Sequence, residues 1–328
     1  MKTRLKLKVA SSAIVVGLGV CSLVNVVPLH ITNLKASTNV LSRYHWRRPS
    51  QSSGTQGNNT NVTLPAGTQE SENWAGYIDT PTSTSSQYTS ISGSWTVPDI
   101  SASQQNNAAS AQWIGLGGVS STDLLQMGTV EQIQNGQPVI EVFWEQLPSS
   151  AQNVMTVPAG STITATIAES TGVNPTWNLT FTVNGQASSQ TIAPVIIDPT
   201  YAAGIGTSAE WISEDPSTLN DQLYPLANMG TVSYQSATVN GEPLNYTTNQ
   251  VQPDAMVSSN GNVLLVPSSL GADGESFATT VPTTSTTTST TTGTTTGTTP
   301  TSGYQPNGNS FHHRGYGQQN AFWSNWGW

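Results

Sequence analysis

Hydrophobic and polar positions alternate in short runs along the middle of the chain, and turn-forming residues separate the runs. The runs are rich in Thr, Val, Ile, Trp and Tyr. In chain order they read NWAGYI, YTSISGSWTVP, AQWIGLGG, LLQMGTVEQI, VIEVFWEQLP, STITATIAES, TWNLTFTVNG, QTIAPVII, AEWISED, TVSYQSATVNG and GNVLLVP. A period of two is typical of a half-buried β-strand.

The residues between the runs indicate how these strands connect. Asn-Gly pairs at 135–136, 184–185, 240–241 and 260–261 predict hairpin turns. No long stretch has the helical period, and only residues 216–227 suggest a short turn. We therefore predict an all-β fold for residues 71–276, an antiparallel β-sandwich of two curved sheets with about a dozen strands.

The N-terminal 36 residues have the pattern of a secretory signal peptide, with four cations before a long apolar stretch and cleavage after Ala36. An uncleaved membrane anchor is the competing interpretation, and Cys21 offers a less favoured lipoprotein attachment. Residues 37–70 are polar with a basic cluster at 43–48. They fit either a linker or, as we favour, a cationic pro-segment that binds an acidic domain. We expect the protein to be secreted.

The C-terminal part of the chain lacks the composition of a packed core. Residues 277–303 are a Thr-rich linker. Residues 304–328 combine Gly, Asn and Gln with Phe, Tyr and Trp. This tail fits a disordered end or an adhesive element for a cell wall or another surface equally well.

Charge is partitioned along the chain. All nine Lys and Arg and all four His lie outside residues 49–311, whereas all 18 Asp and Glu lie between Glu70 and Glu275. Charge of one sign repels itself, and carboxyl groups lose their charge near pH ~4. We therefore predict a domain that is most stable in acid and loses stability as the carboxyls ionise.

The same partition excludes several kinds of chemistry. Without His or Cys, residues 49–311 cannot form a Ser-His-Asp triad, a Cys-His dyad or a His-bearing zinc site. Without Lys or Arg they have no Schiff-base lysine and no cations for nucleic-acid binding. We expect no metal and no cofactor, so carboxyl, amide, hydroxyl and backbone groups remain.

Acidic residues share strand faces with apolar ones. In AEWISED, Glu210 and Glu214 lie on one face, and in VIEVFWEQLP so do Glu141 and Glu145. Residues four apart on a strand stand ~13 Å apart, too far for a glycosidase carboxyl pair. An acid peptidase, in which a carboxylate activates water and an amide stabilises the oxyanion, fits these residue types.

Seven short motifs occur in order: SENWAGY, WTVP, AQWIGLGG, LLQMGT, FWEQLP, AEWISEDP and PLANMGTV. Together they resemble the glutamic peptidases called eqolisins. The resemblance implies a β-sandwich acid peptidase without a metal, with Gln126 and Glu214 as the catalytic dyad. It also places Trp113 and Glu145 near the site. Gly117 stands where fungal members have Asp, and fungal disulfides are missing, which suggests a prokaryotic-type member.

The leading hypothesis is a secreted, monomeric acid endopeptidase with protein or peptide substrates. In it Glu214 is ionised in the free enzyme and acts as a general base, and Gln126 stabilises the oxyanion. The alternatives are a carbohydrate-binding or carbohydrate-active sandwich and a non-catalytic surface protein whose stalk and tail are its purpose.

Overall fold

The structure is a computed structural model that describes residues 62–103, 105–172, 176–185, 190–218, 220 and 222–282, together with the backbone of 44–45. The predicted signal peptide, most of the segment 37–70, most of the Thr-rich linker and the aromatic tail lie outside the described residues. Among the described residues, no helix is long and apolar enough to cross a membrane.

Strands dominate the described part of the chain, which also contains one short helix, α1 (Pro199–Ile205). The strands are β1 (Tyr44–His45), β2 (Gln69–Ser71), β3 (Trp74–Pro81), β4 (Ser90–Thr96), β5 (Ala109–Gly117), β6 (Leu124–Gln134), β7 (Gln137–Gln146), β8 (Gln152–Thr156), β9 (Thr162–Glu169), β10 (Trp177–Val183), β11 (Gln190–Val195), β12 (Ala209–Glu214), β13 (Ser217–Thr218), β14 (Thr231–Val239), β15 (Glu242–Pro243), β16 (Asn249–Val257), β17 (Val263–Pro267) and β18 (Phe277–Thr280).

Sixteen strands form one hydrogen-bonded sheet in the order β11-β10-β9-β4-β14-β18-β17-β16-β3-β12-β5-β6-β7-β8, with β15 on β14 and β2 on β16. The sheet folds over at β17, which pairs with β18 on one side and β16 on the other. The first leaf runs from β11 to β18 in this order and the second leaf from β16 to β8. The two leaves pack face to face, because β4 contacts β5 and β12 contacts β14 although neither pair is adjacent in the sheet. The predicted all-β sandwich is confirmed.

The interior between the leaves is the main hydrophobic core. It is built around large buried side chains such as Trp95, Trp211 and Tyr234. A second buried cluster lies on the other face of the second leaf and includes Trp74 and Trp113. β5 is buried along its whole length, because both of its faces are covered.

All eleven hydrophobic runs contain strands of the structure. At the predicted turn between β6 and β7, Asn135 and Gly136 have φ angles of 51° and 76°, the left-handed pair that a tight hairpin requires. The region 216–227 contains the short strand β13. The sheet extends beyond residues 71–276 at both ends, because it includes β2 and β18.

The helix α1 is a feature that the hydrophobic pattern did not predict. Asp198 caps its start, with the side chain accepting hydrogen bonds from the backbone N–H groups of Thr200 and Tyr201 at 2.9 and 3.0 Å. Pro199 occupies the first turn, where a missing N–H costs nothing. The sequence Asp-Pro was thus the available signal for this helix start.

Candidate active site

The outer face of the second leaf carries all four residues that the sequence singled out. Cross-strand pairing places Glu214 opposite Ala111 of β5, and Trp113 of β5 opposite Gly128 of β6. Gln126 lies opposite Glu145 of β7. Opposed residues project to the same side of a sheet. The four side chains therefore share one face, and each residue is at most 2% exposed.

Two N–H donors hold the carboxyl of Glu214 from both of its oxygens. The indole Nε1 of Trp113 donates to Oε2 at 2.7 Å, and the amide Nδ2 of Asn73 donates to Oε1 at 3.3 Å. The ring of Trp113 stands edge-on to that of Trp74, with centroids 4.9 Å apart. One donor belongs to β5 and the other is the residue directly before β3, so the carboxyl plane is fixed relative to the sheet.

Burial raises the pKa of Glu214 well above its ordinary value of 4.5, because the charged form is removed from water. Trp113 lowers this pKa most, followed by Trp74 and then Asn73, whereas the negative charge of Glu145 raises it. This direction of shift opposes the expectation that Glu214 is ionised in the free enzyme at acid pH. In strong acid the protonated form predominates, because desolvation outweighs the donors.

The amide of Gln126 is oriented by Glu145. Its Nε2 donates to Oε2 of Glu145 at 2.8 Å. An amide nitrogen carries two hydrogens, and this bond uses one of them. Within the described part of the chain, Oε1 of Gln126 has no hydrogen-bond partner. Burial raises the pKa of Glu145 to about 8, against the lowering effect of the Gln126 bond. The pair is therefore neutral in acid.

The structure brings the four predicted residues together as two hydrogen-bonded pairs, Trp113 with Glu214 and Gln126 with Glu145. The described residues show no hydrogen bond between Gln126 and Glu214, whose strands β6 and β12 are separated by β5. When Glu145 is ionised, its charge raises the pKa of Glu214, which links the two pairs electrostatically. The dyad thus lies diagonally across three strands.

Backbone register places Glu210, not Glu214, in line with Gln126. Glu210 and Gln126 are both cross-strand partners of Gly115, one on each side of β5. Side chains fill the space above that glycine: a Cβ there would lie 2.9 Å from the ring of Trp113 and 3.0 Å from a methyl group of Leu124. The side chains of Trp113 and Leu124 therefore lie between Glu210 and Gln126. Glu210 is fully buried, and burial raises its pKa well above the ordinary value.

Gly128 leaves room for the side chain of Trp113, its cross-strand partner on β5. A Cβ at position 128 would lie 2.2 Å from the carbonyl oxygen of Gln112 and 2.5 Å from the Cβ of Trp113. Contacts this short do not occur, so only glycine fits opposite the indole. The glycine of the LLQMGT motif therefore has a steric role two residues after Gln126.

Sequence reasoning missed Asn73 as a site residue. It lies in the quoted motif SENWAGY, directly before Trp74, and it is 1% exposed. The backbone N–H of Asp215 donates to the carbonyl oxygen of Asn73 at 2.9 Å, which ties the end of β12 to the start of β3. A buried amide beside an apolar strand was the available signal, because a buried polar group needs a partner.

Buried carboxyl groups are abundant beyond the site. Burial is the first cause of a raised pKa in eight of them, and within residues 49–311 no Lys, Arg or His compensates their charge. The eight are Asp79, Glu131, Glu141, Glu145, Glu210, Glu214, Asp215 and Asp254. The neutral, protonated state of these groups is the one that the fold accommodates without an ionic penalty.

Comparisons with known proteins identify the family of this chain. The family model described as the Peptidase A4 family matches residues 72–273. Aspergillopepsin-2 of Aspergillus niger is 27% identical over an alignment of 191 residues that covers 51% of this chain and 64% of that protein. The chain thus spans slightly less than two thirds of that relative.

Solved structures show the same fold. Scytalido-glutamic peptidase with a transition state analog inhibitor has a TM-score of 0.51 and 19% identity, over 64% of this chain and 98% of that chain. A second structure of that peptidase, with a peptide-based transition state analog, has the same TM-score and coverage at 18% identity. With the family match covering more than half of its length, this chain belongs to the Peptidase A4 family, the eqolisins.

Proposed function

We propose that this chain is a secreted endopeptidase that hydrolyses peptide bonds of proteins in acid through Glu214 and Gln126. The proposal rests on the hydrogen bonds that Trp113 and Asn73 donate to the buried carboxyl of Glu214. The amide of Gln126 lies on the same face of the sheet. The Peptidase A4 relatives named above are peptidases, which supports this reaction class. The residues present supply the chemistry without a metal or cofactor.

The first step is the attack of water on the scissile carbonyl carbon. Ionised Glu214 accepts a proton from the water as its oxygen bonds to that carbon, and the carbonyl oxygen gains negative charge. The second N–H of the Gln126 amide donates to this oxyanion, a contribution of ~2.7–4 kcal/mol for such a donor. Glu145 holds the amide in place through its 2.8 Å bond.

In the second step the tetrahedral intermediate collapses and the C–N bond breaks. Protonated Glu214 returns the proton to the leaving nitrogen, which departs as an amine, and the carboxylate form is restored. The bonds from Trp113 and Asn73 stabilise that carboxylate. One proton cycles on one carboxyl, so no further acid or base is needed.

The raised pKa of Glu214 sets the acid limb of the pH profile. The base form is a minor population in strong acid, so the rate rises with pH toward the pKa of Glu214. A base with a higher pKa is a stronger proton acceptor, which offsets its smaller population. At higher pH the buried carboxyls ionise and the fold loses stability. The profile is therefore bell-shaped.

Digestion of denatured casein tests the proposal. The secreted protein is incubated at pH 2–4 with pepstatin, which targets paired-Asp peptidases, and EDTA, which removes metals. Cleavage under both additives supports the Glu214/Gln126 chemistry. Cleavage abolished by pepstatin or EDTA, or no cleavage from a folded secreted protein, would contradict it.

A further inference from the structure

A chain of three buried hydroxyl groups links the first leaf to the strand that carries Glu214. The phenol of Tyr234, in β14, donates to the backbone carbonyl oxygen of Ile212 at 2.7 Å. The hydroxyl of Ser213 lies 3.1 Å from that of Tyr234 and 2.7 Å from that of Thr279, in β18. All three hydroxyl-bearing residues are at most 1% exposed. The chain thus ends on the two residues that directly precede Glu214.

The direction of these hydrogen bonds follows from the number of hydrogens. Each hydroxyl has one hydrogen to donate and can also accept. The hydrogen of Tyr234 is used on the carbonyl of Ile212, so Ser213 donates to Tyr234. The hydrogen of Ser213 is then used as well, so Thr279 donates to Ser213. The three hydroxyls therefore point the same way along the chain, an arrangement in which each bond strengthens the next.

Aromatic neighbours hold the ring of Tyr234 in place. It stacks on Phe277 with centroids 4.7 Å apart and 5° between the planes, and Trp95 lies at 6.3 Å. Phe277 also packs edge-on against Tyr77 at 4.8 Å, and the hydroxyl of Tyr77 donates to Ser268 O at 2.8 Å. The two tyrosines are thus alike in burial and packing, but only the hydroxyl of Tyr234 bonds to β12.

The hydroxyl chain and the donors to Glu214 act on opposite faces of β12. Successive side chains of a strand alternate between faces, so Ser213 points into the interior between the leaves and Glu214 points to the outer face. Trp113 holds the carboxyl on the outer face at 2.7 Å. The hydroxyls hold the backbone of Ile212 and Ser213 from the inner face. A shift of β12 would change the bond from Trp113, so both sets of contacts define the position of the carboxyl.

We propose that Tyr234 and Thr279 are positioning residues for Glu214, whose hydroxyls hold its strand from the opposite leaf so that the carboxyl stays in place for catalysis. The hold on β12 follows from the hydrogen bonds alone. The effect on catalysis rests on the proposed function, since it requires that Glu214 is the general base.

Tyr234→Phe and Thr279→Val test the proposal, because each removes one hydroxyl and nearly preserves the shape of the side chain. On a casein-derived peptide in acid, we expect each to lower kcat about tenfold and to change KM less than about twofold, because a displaced base slows the chemistry and not binding. The acid limb of kcat/KM should also move up by about 0.5 pH unit, since a weaker bond from Trp113 stabilises the carboxylate less.

Two control variants separate positioning from packing. Tyr77→Phe removes the hydroxyl of the other tyrosine that contacts Phe277, and Thr279→Ser keeps a hydroxyl in place. Both should keep kcat within about twofold and leave the acid limb unmoved. Denaturant unfolding in the assay buffer establishes that each variant is folded. An equal loss in Tyr77→Phe, or a normal kcat with an unmoved limb in Tyr234→Phe, would overturn the positioning role.

The pair of variants at Thr279 decides alone if Tyr234→Phe does not fold. Thr279→Val should then be about tenfold slower than Thr279→Ser, and equal rates would overturn the positioning role.

Amide hydrogen exchange in acid tests the hold on β12 without any substrate. We expect exchange at residues 212–214 to be about tenfold faster in Tyr234→Phe and unchanged in Tyr77→Phe. Unchanged exchange in Tyr234→Phe would overturn the hold. Faster exchange there, together with an unsubstituted protein that cleaves nothing, would contradict the proposed function and still support the hold.

Discussion

Glu131 offers a direct test of how buried carboxyls make this fold depend on acid. It lies in β6, is fully buried and faces the interior between the leaves. Ser110 donates to its Oε2 at 2.9 Å, whereas among the described residues its Oε1 has no partner. Burial raises the pKa of Glu131 from 4.5 to about 8, and the hydrogen bonds only partly oppose this shift. The group is therefore protonated in the folded chain across the whole acid range.

The sign and size of the effect on stability follow from these two pKa values. Below the unfolded value of 4.5, both states hold the proton and there is no cost. Above it the unfolded chain releases a proton that the folded chain keeps, so the free energy of unfolding falls by ~1.4 kcal/mol per pH unit. At pH 7, about 2.5 pH units higher, the loss is about 3 kcal/mol.

Glu131→Gln replaces the carboxyl with a neutral group of the same shape. We expect it to raise the free energy of unfolding by about 3 kcal/mol at pH 7 and to change it little at pH 3. Denaturant unfolding, followed by tryptophan fluorescence at pH 3, 5 and 7, measures both. Glu242→Gln, at an exposed carboxyl, is the control. No gain at pH 7, or an equal gain at pH 3, would refute the reasoning.

Three further substitutions test individual contacts. Trp113→Phe keeps an aromatic ring but removes the donor to Glu214, so the pKa of Glu214 rises. The acid limb of the pH profile of kcat/KM should therefore move up by about one pH unit. An unmoved acid limb would contradict the assigned contact. Gly128→Ala forces a Cβ against Gln112 O. Denaturant unfolding should show that it lowers the free energy of unfolding by ~3 kcal/mol or more. A loss under about 1 kcal/mol would show that the strands can separate there. Asp198→Ala removes the cap of α1 and should cost ~1 kcal/mol in the same assay; an unchanged midpoint would show that the cap is dispensable.

Strand alternation predicted most of the fold because it reports one buried face directly. β9 is an example of a strand that its sequence pattern predicts well, since its burial alternates along almost its whole length. β16 is an example of a strand that its sequence pattern does not predict, because NQVQPDAMV lacks alternation and contains Pro253. It nevertheless pairs with β3 and β17 in the middle of the sheet. Position in the sheet, not local pattern, makes it a strand.

The candidate site was predictable only as far as its motifs reached. The motifs led to Gln126 and Glu214, but not to the donor Asn73, which is 141 residues from Glu214 in sequence. Their contact depends on the pairing of β3 with β12, which no local pattern encodes. The direction of the pKa shift of Glu214 was also not predictable from the motifs, because it depends on complete burial by residues from several strands.

The most direct test compares two equally buried glutamates of one strand face. Glu214→Gln and Glu210→Gln each replace a fully buried carboxyl of β12 with an amide of the same size. With both variants folded, kcat/KM on a casein-derived peptide in acid is measured against the unsubstituted protein. The account predicts a loss of about 10²–10⁴-fold for Glu214→Gln and less than about tenfold for Glu210→Gln. Near-normal activity of Glu214→Gln, or the larger loss in Glu210→Gln, would contradict it.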